Sequence, residues 1–283
     1  MPPPSFDVDV LVPTYRRPTA LAVTLAGLVG QAFPSFRVIV SDQTEGTPTY
    51  DVPEVETVCR VLEVRGHPVA RHHHLPRRGI AEQRQFLLDV SSAPYVLYLD
   101  DDVILEPDLV ERLVRAIRRY RCGFVGMALL GPHYVGDERP DQEAAFEPWT
   151  DGIEPERLEP GGPEWGRASL HLAANVHHIA LRLAVDRRDD VAYRVAWVGG
   201  CCLYDRESLL RAGGFEFWRD LPEQHVGEDV VAQLHVMERD GGCAILPSGV
   251  WHQDSIATTH PDRRHDAPWL LRGDVANSRA GSA

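Results

Sequence analysis

Three aspartates in succession, Asp100, Asp101 and Asp102, follow the apolar run PYVLYL. Like charges side by side repel one another, and an ordinary strand end gains nothing from holding three together. Alternate residues of an extended segment point the same way, so Asp100 and Asp102 converge while Asp101 turns aside. Paired hard carboxylates suit Mg²⁺ or Mn²⁺, which keep phosphate oxygens and waters in their shell. Such an ion offsets the repulsion and can neutralise a diphosphate. The plain alternative is a solvated acidic turn, or an N-cap cluster for the helix expected at EPDLVERL. A phosphatase nucleophile of the Asp-x-Asp type is disfavoured, because it calls for Thr or Val two residues beyond Asp102, where Ile104 stands.

A second acidic pair, Glu228 and Asp229 in GEDVV, opens a predicted helix after a glycine. Adjacent helical residues diverge by about 100°, so only one of the two faces a given substrate directly. An acidic first turn favoured by the helix dipole is the structural alternative. The adjacent thiols of Cys201 and Cys202 have no activating base near them in sequence and read as buried small side chains. The runs RHHHL and HH (177 and 178) look like metal tracts, but neighbouring histidines on a strand point to opposite faces and do not chelate jointly.

These groups need a scaffold to bring them together. VDVLVP, FRVIVSD and PYVLYL read as buried strands, RVLEV (60–64) as a further one, and CGFVGMALLG as another. Between them PTALAVTLAGLVGQAF, GIAEQRQFLLDVSS and EPDLVERLVRAIRRY read as helices, the last with acids in its first turn and arginines in its last. Strands alternating with helices through about residue 130 argue for a mostly parallel sheet covered on both faces. Ligands of such sheets bind beyond the carboxyl ends of the strands, where the aspartates lie. Residues 131–170 are rich in Pro, Gly and acids without a clean period, and read as an irregular insertion.

The bulk numbers narrow the partners. The formal net charge of −13 disfavours duplex nucleic acid. All 29 basic residues are arginine, so neither a Schiff-base lysine nor a P-loop lysine is available. Five scattered cysteines without a CxxC pair fit a reducing compartment. With no signal peptide at MPPPSFDVDV and no run of 18 apolar residues, a cytoplasmic protein without a membrane span is expected. The sequence is compatible with a homo-oligomer.

VLVPTYRRP, VIVSDQ, RRGIAEQRQ, YLDDDV, VGGCCLYDRESLLRAGGF and VGEDVVAQLHVMERDGG occur in an order and spacing that resembles family 2 glycosyltransferases of the GT-A fold, over roughly residues 7 to 252. The resemblance implies a Rossmann-like α/β domain and transfer of a sugar from a nucleotide-diphosphate donor, of the UDP type, to an acceptor hydroxyl with inversion. It implies that Pro13, Thr14 and Arg16 wrap the base and ribose, and that Asp42 bonds the base. It implies that Arg78, Gly79 and Arg84 approach the diphosphate, where a guanidinium's fork suits phosphate oxygens; a salt bridge is the alternative for these arginines. Asp100 and Asp101 fall with the donor-binding residues, and Asp102 with His252 as ligands of Mg²⁺ or Mn²⁺. Asp229 becomes the base that takes the acceptor's proton, with Glu228 orienting the acceptor. Gly199, Gly200 and Trp218 fall on the acceptor side, where Trp197 and Trp218 either stack on a sugar or pack in the core.

The expected organisation is a nucleotide-binding half (1–130), the insertion (131–170), an acceptor-binding half (171–252) and a mobile tail (253–283). Within that tail Arg263, Arg264 and His265 are expected to close as a lid. A soluble acceptor such as a small metabolite or natural product is favoured. The rivals are a sugar nucleotidyltransferase, which carries a Gly-rich loop with a lysine that LVPTYRRP lacks, and a non-catalytic nucleotide-sugar-binding module.

Overall fold

The computed structural model describes residues 6–254 and 265–271. The chain runs β1 (Val8–Thr14), α1 (Pro18–Val29), β2 (Phe36–Asp42), α2 (Pro53–Val64), β3 (Val69–His73), α3 (Ile80–Val90), β4 (Tyr95–Leu99), β5 (Val103–Leu105), α4 (Leu109–Tyr120) and β6 (Phe124–Gly126). The irregular stretch that follows holds one short helix, α5 (Pro140–Glu143), and a 3₁₀ segment at Pro163–His171. Then come α6 (Asn175–Arg182), β7 (Val191–Tyr193), β8 (Cys201–Asp205), α7 (Arg206–Arg211), β9 (His225–Val226), α8 (Glu228–Asp240), β10 (Gly242–Leu246), β11 (Val250–His252) and β12 (His265–Asp266).

Eight strands form one sheet in the order β3-β2-β1-β4-β8-β6-β10-β7. β3, β2, β1 and β4 run parallel, as do β6 and β10, while β8 is antiparallel to both β4 and β6. Strand alternation divides the core into two layers. Val8, Val10 and Val12 of β1 pack toward the helices α1, α2 and α4, and Leu11 packs toward the other face with Leu87, Leu88 and Met237. Asp9 also points to a buried position, where Arg37 Nε and the backbone N–H groups of Ser92 and Ala93 satisfy it.

One expectation fails. RVLEV is not a strand but the last turns of α2. Pro53 starts that helix, Glu54 and Glu56 lie in its first turn, and Val55, Cys59 and Leu62 bury one face at helical spacing. The third strand is instead Val69–His73, paired parallel to β2. Its histidines diverge as alternation requires: the His73 ring bonds Thr44 O, the His74 ring bonds Glu82, and His72 meets Phe86 edge-on. CGFVGMALLG yields only the short strand β6.

Arg263 and Arg264 of the expected lid lie outside the described residues. His265–Asp266 pairs with β9, and this segment packs onto Gly227, whose added Cβ would stand 2.9 Å from Pro268 Cδ. No helix among the described residues is long and apolar enough to cross a membrane.

Candidate active site

The strand order turns in opposite directions from β1, toward β2 on one side and β4 on the other, and a switch of this kind opens a crevice at the carboxyl ends. A cavity of about 420 Å³ lies there. Thr14, which ends β1, donates through Oγ1 to Asp101 Oδ2 at 2.6 Å and so fastens the two strand ends across the switch.

The three aspartates have separate tasks. Asp101 is bonded by Thr14 and by Arg17 Nη1 at 3.1 Å, yet burial pushes its carboxyl up to about 7. Asp102 is paired with Arg17 Nη2 and lies 3.3 Å from His252 Nε2. Burial raises the Asp102 carboxyl, but the bonds from His252 and Arg17 outweigh it and hold the group below its ordinary value. The same bond to Asp102, helped by Asp254 on Nδ1, raises the His252 imidazole to about 9. Asp100 faces the opposite wall and accepts from Arg84 Nη2 at 3.0 Å.

A small two-stranded ladder sets the pairing of Asp102 with His252. β5 follows the aspartates at once and runs antiparallel to β11, with Val103 opposite His252. Gln253 N–H then donates to Asp102 O at 2.9 Å. Among the described residues no three His, Cys, Asp or Glu side chains form a closed metal cage. The protein therefore offers a carboxylate oxygen and an imidazole nitrogen, a donor set that fits Mg²⁺ or Mn²⁺ when phosphate oxygens supply other positions. Arg17 is the guanidinium paired with Asp102.

On the opposite wall Arg84 Nε donates to Glu228 Oε1 at 2.7 Å, joining α3 to the start of α8. Burial disfavours the Arg84 charge, and Glu228 and Asp100 more than restore it, so the guanidinium is held well above its ordinary value. Asp229 lies beside this pair, behind Gly199, where an added Cβ would stand 3.6 Å from Asp229 Oδ2. Burial first, and the neighbouring Glu228 second, push the Asp229 carboxyl up to about 7. Gly200 has φ +73°, and an added Cβ there would meet Leu129 Cδ1 at 2.4 Å and Asp100 Oδ2 at 3.0 Å. The two glycines thus let backbone pass between Asp100 and Asp229.

Several expected residues stand elsewhere. Arg16 has φ 56° and pairs with Glu45 at 2.7 Å in solvent, while its neighbour Arg17 enters the cavity. Asp42 is fully buried and accepts from the backbone N–H groups of Thr44 (2.8 Å) and Thr49, so it staples its own loop. Arg78 lies 6.0 Å over the Trp218 ring, and Arg77 lines the cavity in its place, stacked 4.4 Å over Tyr15. Neither Arg78 nor Trp218 is among the lining residues, whereas Pro13, Arg84, Glu228 and His252 are. Gly79 has φ +99° and carries the turn under Glu223 O, 2.6 Å from an added Cβ. Trp197 packs on Gly199 and edge-on to His171. The Cys201 and Cys202 thiols are buried and pushed above their ordinary value by desolvation.

His225 was not singled out by the sequence. Its Nδ1 meets Pro222 O at 2.7 Å and its Nε2 meets Ala81 N–H at 3.1 Å. A carbonyl only accepts and an amide N–H only donates, so the ring is neutral with its proton on Nδ1, and it caps α3.

Comparison with known proteins bears on the family and the fold. The profile of the family described as "Glycosyl transferase family 2" matches residues 9–174. Over 140 residues the chain is 31% identical to succinoglycan biosynthesis protein ExoM of Rhizobium meliloti (strain 1021), covering 47% of this chain and 42% of that protein. Residues 1–349 of S. aureus TarS superpose with a TM-score of 0.54 at 13% identity over 87% of this chain and 60% of that one. The TarS complex with UDP-GlcNAc gives a TM-score of 0.54 at 14% identity over 89% and 62%. The chain thus spans less than two-thirds of the length of each relative, and at these identities the superpositions establish the GT-A fold. With the family profile covering more than half of its residues, the chain belongs to glycosyl transferase family 2.

Proposed function

We propose that the protein transfers a sugar from a nucleoside diphosphate donor, of the UDP type, to an acceptor hydroxyl with inversion at the anomeric carbon. The observation that carries this reading is the convergence of Asp100, Asp102, His252, Arg84 and Glu228 on one cavity, with Asp229 beside it across Gly199.

Asp102 and His252 are the residues suited to hold Mg²⁺ or Mn²⁺, which when bound neutralises charge developing on the departing diphosphate. Arg17 and Arg77 add positive charge at the same cavity. Asp229 takes the acceptor's hydroxyl proton as the oxygen forms its bond to the anomeric carbon and the bond from that carbon to the diphosphate oxygen breaks. A base raised to about 7 is about half deprotonated at neutral pH and, once deprotonated, a competent proton acceptor. Glu228 is fixed by Arg84 and positions the acceptor rather than moving a proton. Gly199 and Gly200 leave room for the acceptor to approach. A sugar nucleotidyltransferase finds no support, because the turn after β1 offers arginines and no lysine.

TarS is solved with UDP-GlcNAc, which supports a nucleotide-sugar donor here. The direct test is calorimetric titration of UDP into wild type and Asp102→Asn, with Mn²⁺ and with chelator. Binding that requires both the metal and Asp102 is expected. Binding indifferent to both would remove Asp102 and His252 from the donor site.

A further inference from the structure

The cavity has two chemically different ends. Asp100, Asp102, Glu228 and His252 make one end ionic. At the other, Gln43 and Gln83 line the wall beside Tyr15, whose ring is stacked under Arg77. Thr14 O joins the two glutamines, accepting Gln43 N–H at 3.2 Å and Gln83 Nε2 at 3.2 Å.

Both glutamine side chains are buried and oriented. Gln43 Nε2 donates to Glu82 Oε2 at 3.1 Å. Glu82 is held by His74 at 2.8 Å, and His74 stacks on Phe86 at 3.9 Å. Gln83 Nε2 also donates to Ser41 O at 2.6 Å. Every one of these partners can only accept, so chemistry identifies each amide nitrogen and leaves each amide oxygen over. Neither oxygen has a hydrogen-bond partner among the described residues, and neither is among the buried atoms sealed off without one. Each amide oxygen therefore keeps some accessible surface, on residues that line the cavity.

Asp42, the acid expected to meet the base, is not available in this way. It is fully buried, both its oxygens take backbone N–H groups of its own loop, and it does not line the cavity.

We propose that the carboxamide oxygen of Gln43, backed by that of Gln83, reads the donor's nucleobase and selects a base whose ring nitrogen carries a hydrogen. The inference rests on the donor site proposed above. Uracil presents such a donor at N3 and guanine at N1. Cytosine presents a lone pair at its N3, which would face the amide oxygen and leave two acceptors opposed. Tyr15 and Arg77 offer the planar surface on which a base can stack. Asp42 is a positioning residue that holds the 42–49 loop.

The test is titration calorimetry of UDP, GDP and CDP with Mn²⁺. UDP or GDP is expected to bind wild type at least about tenfold more tightly than CDP, the cost of an unmet buried acceptor. Gln43→Leu is expected to bring the preferred nucleotide within about twofold of CDP, and Asp42→Asn to keep the preference while melting earlier. The preferred nucleotide methylated at the ring nitrogen (N3 of uracil or N1 of guanine) reads the same contact on wild type, whatever the stability of the variants. It is expected to bind as weakly as CDP. Equal affinities in wild type, a preference that survives Gln43→Leu, or undiminished binding of the methylated nucleotide overturns the inference and leaves the donor site standing. Absence of binding by all three diphosphates overturns the donor site together with it.

Discussion

Arg84 and Glu228, 144 residues apart, form a salt bridge at 2.7 Å in which each side chain is 6% exposed. It ties α3, on one wall of the cavity, to α8, the helix that carries the proposed base Asp229. A buried pair gains little over an apolar pair of the same shape, but breaking it leaves an uncompensated charge. Arg84→Met is expected to destabilise the fold by about 3–5 kcal/mol. Arg84→Met combined with Glu228→Leu is expected to recover part of that loss. Urea denaturation of the two single variants and the double variant measures the coupling.

Asp229→Asn is expected to lower kcat by about 10²–10⁴ while nucleotide affinity is retained. In wild type the carboxyl raised to about 7 makes activity climb as pH rises through 7 and level off above it. The stability effect has the opposite sign. A carboxyl raised in the folded state binds its proton more readily there than in the unfolded chain, so stability falls as pH rises toward 7. Asp229→Asn is therefore expected to melt at a higher temperature than wild type at pH 8. A pH–rate profile and a melting curve at that pH check both.

Arg17 competes for the carboxylate that the metal reading requires. Removing a cation from beside Asp102 should strengthen the attraction of another by on the order of tenfold. Arg17→Gln is thus expected to bind Mn²⁺ more tightly than wild type without nucleotide, followed by the paramagnetic resonance of the free ion. Unchanged affinity would mean that the metal does not use Asp102.

Gly200→Ala forces a side chain into a left-handed backbone and against Leu129 and Asp100. A loss of about 1–3 kcal/mol is expected, with activity reduced further by displacement of Asp100. Gly199→Ala meets nothing closer than Trp197 at 3.3 Å and is expected to fold, while crowding Asp229. Comparing denaturation midpoints with kcat separates the two effects.

The sequence made legible what depends on order and periodicity. The carboxylates after β4 and the acidic pair at the start of α8 were visible because strand ends and helix starts are marked by local pattern, whereas the histidine at β11 was singled out only through the resemblance to the family. Which of two neighbours enters a cavity was not. Arg16 and Arg17 are alike in type, and a backbone turn with φ 56° decides between them. The same holds for Arg77 and Arg78 beside Gly79. Gln43 and Gln83 gave no signal, because their meaning comes from Thr14 O, a contact made only in three dimensions. RVLEV was misread because five residues of mixed character cannot distinguish a strand from the end of a helix, whereas the twelve of α2 can.

The place of β8 bears on how the chain comes off the ribosome. β4 and β6 are made early, yet the strand that lies between them, Cys201–Asp205, begins 75 residues after β6 ends at Gly126. Until it emerges, β4 and β6 each present an unfilled hydrogen-bonding edge flanked by apolar side chains, a template for pairing with another nascent chain. Synthesis therefore passes through a window in which β1 to β6 exist but the gap between β4 and β6 is open, and that gap is filled only when the segment bearing Gly199 and Gly200 arrives. Joining of β4 to β6 and delivery of Gly199 and Gly200 are one event, and β10 must still follow to fill the place between β6 and β7, so a chain stalled before β8 is expected to be an aggregation-prone fragment.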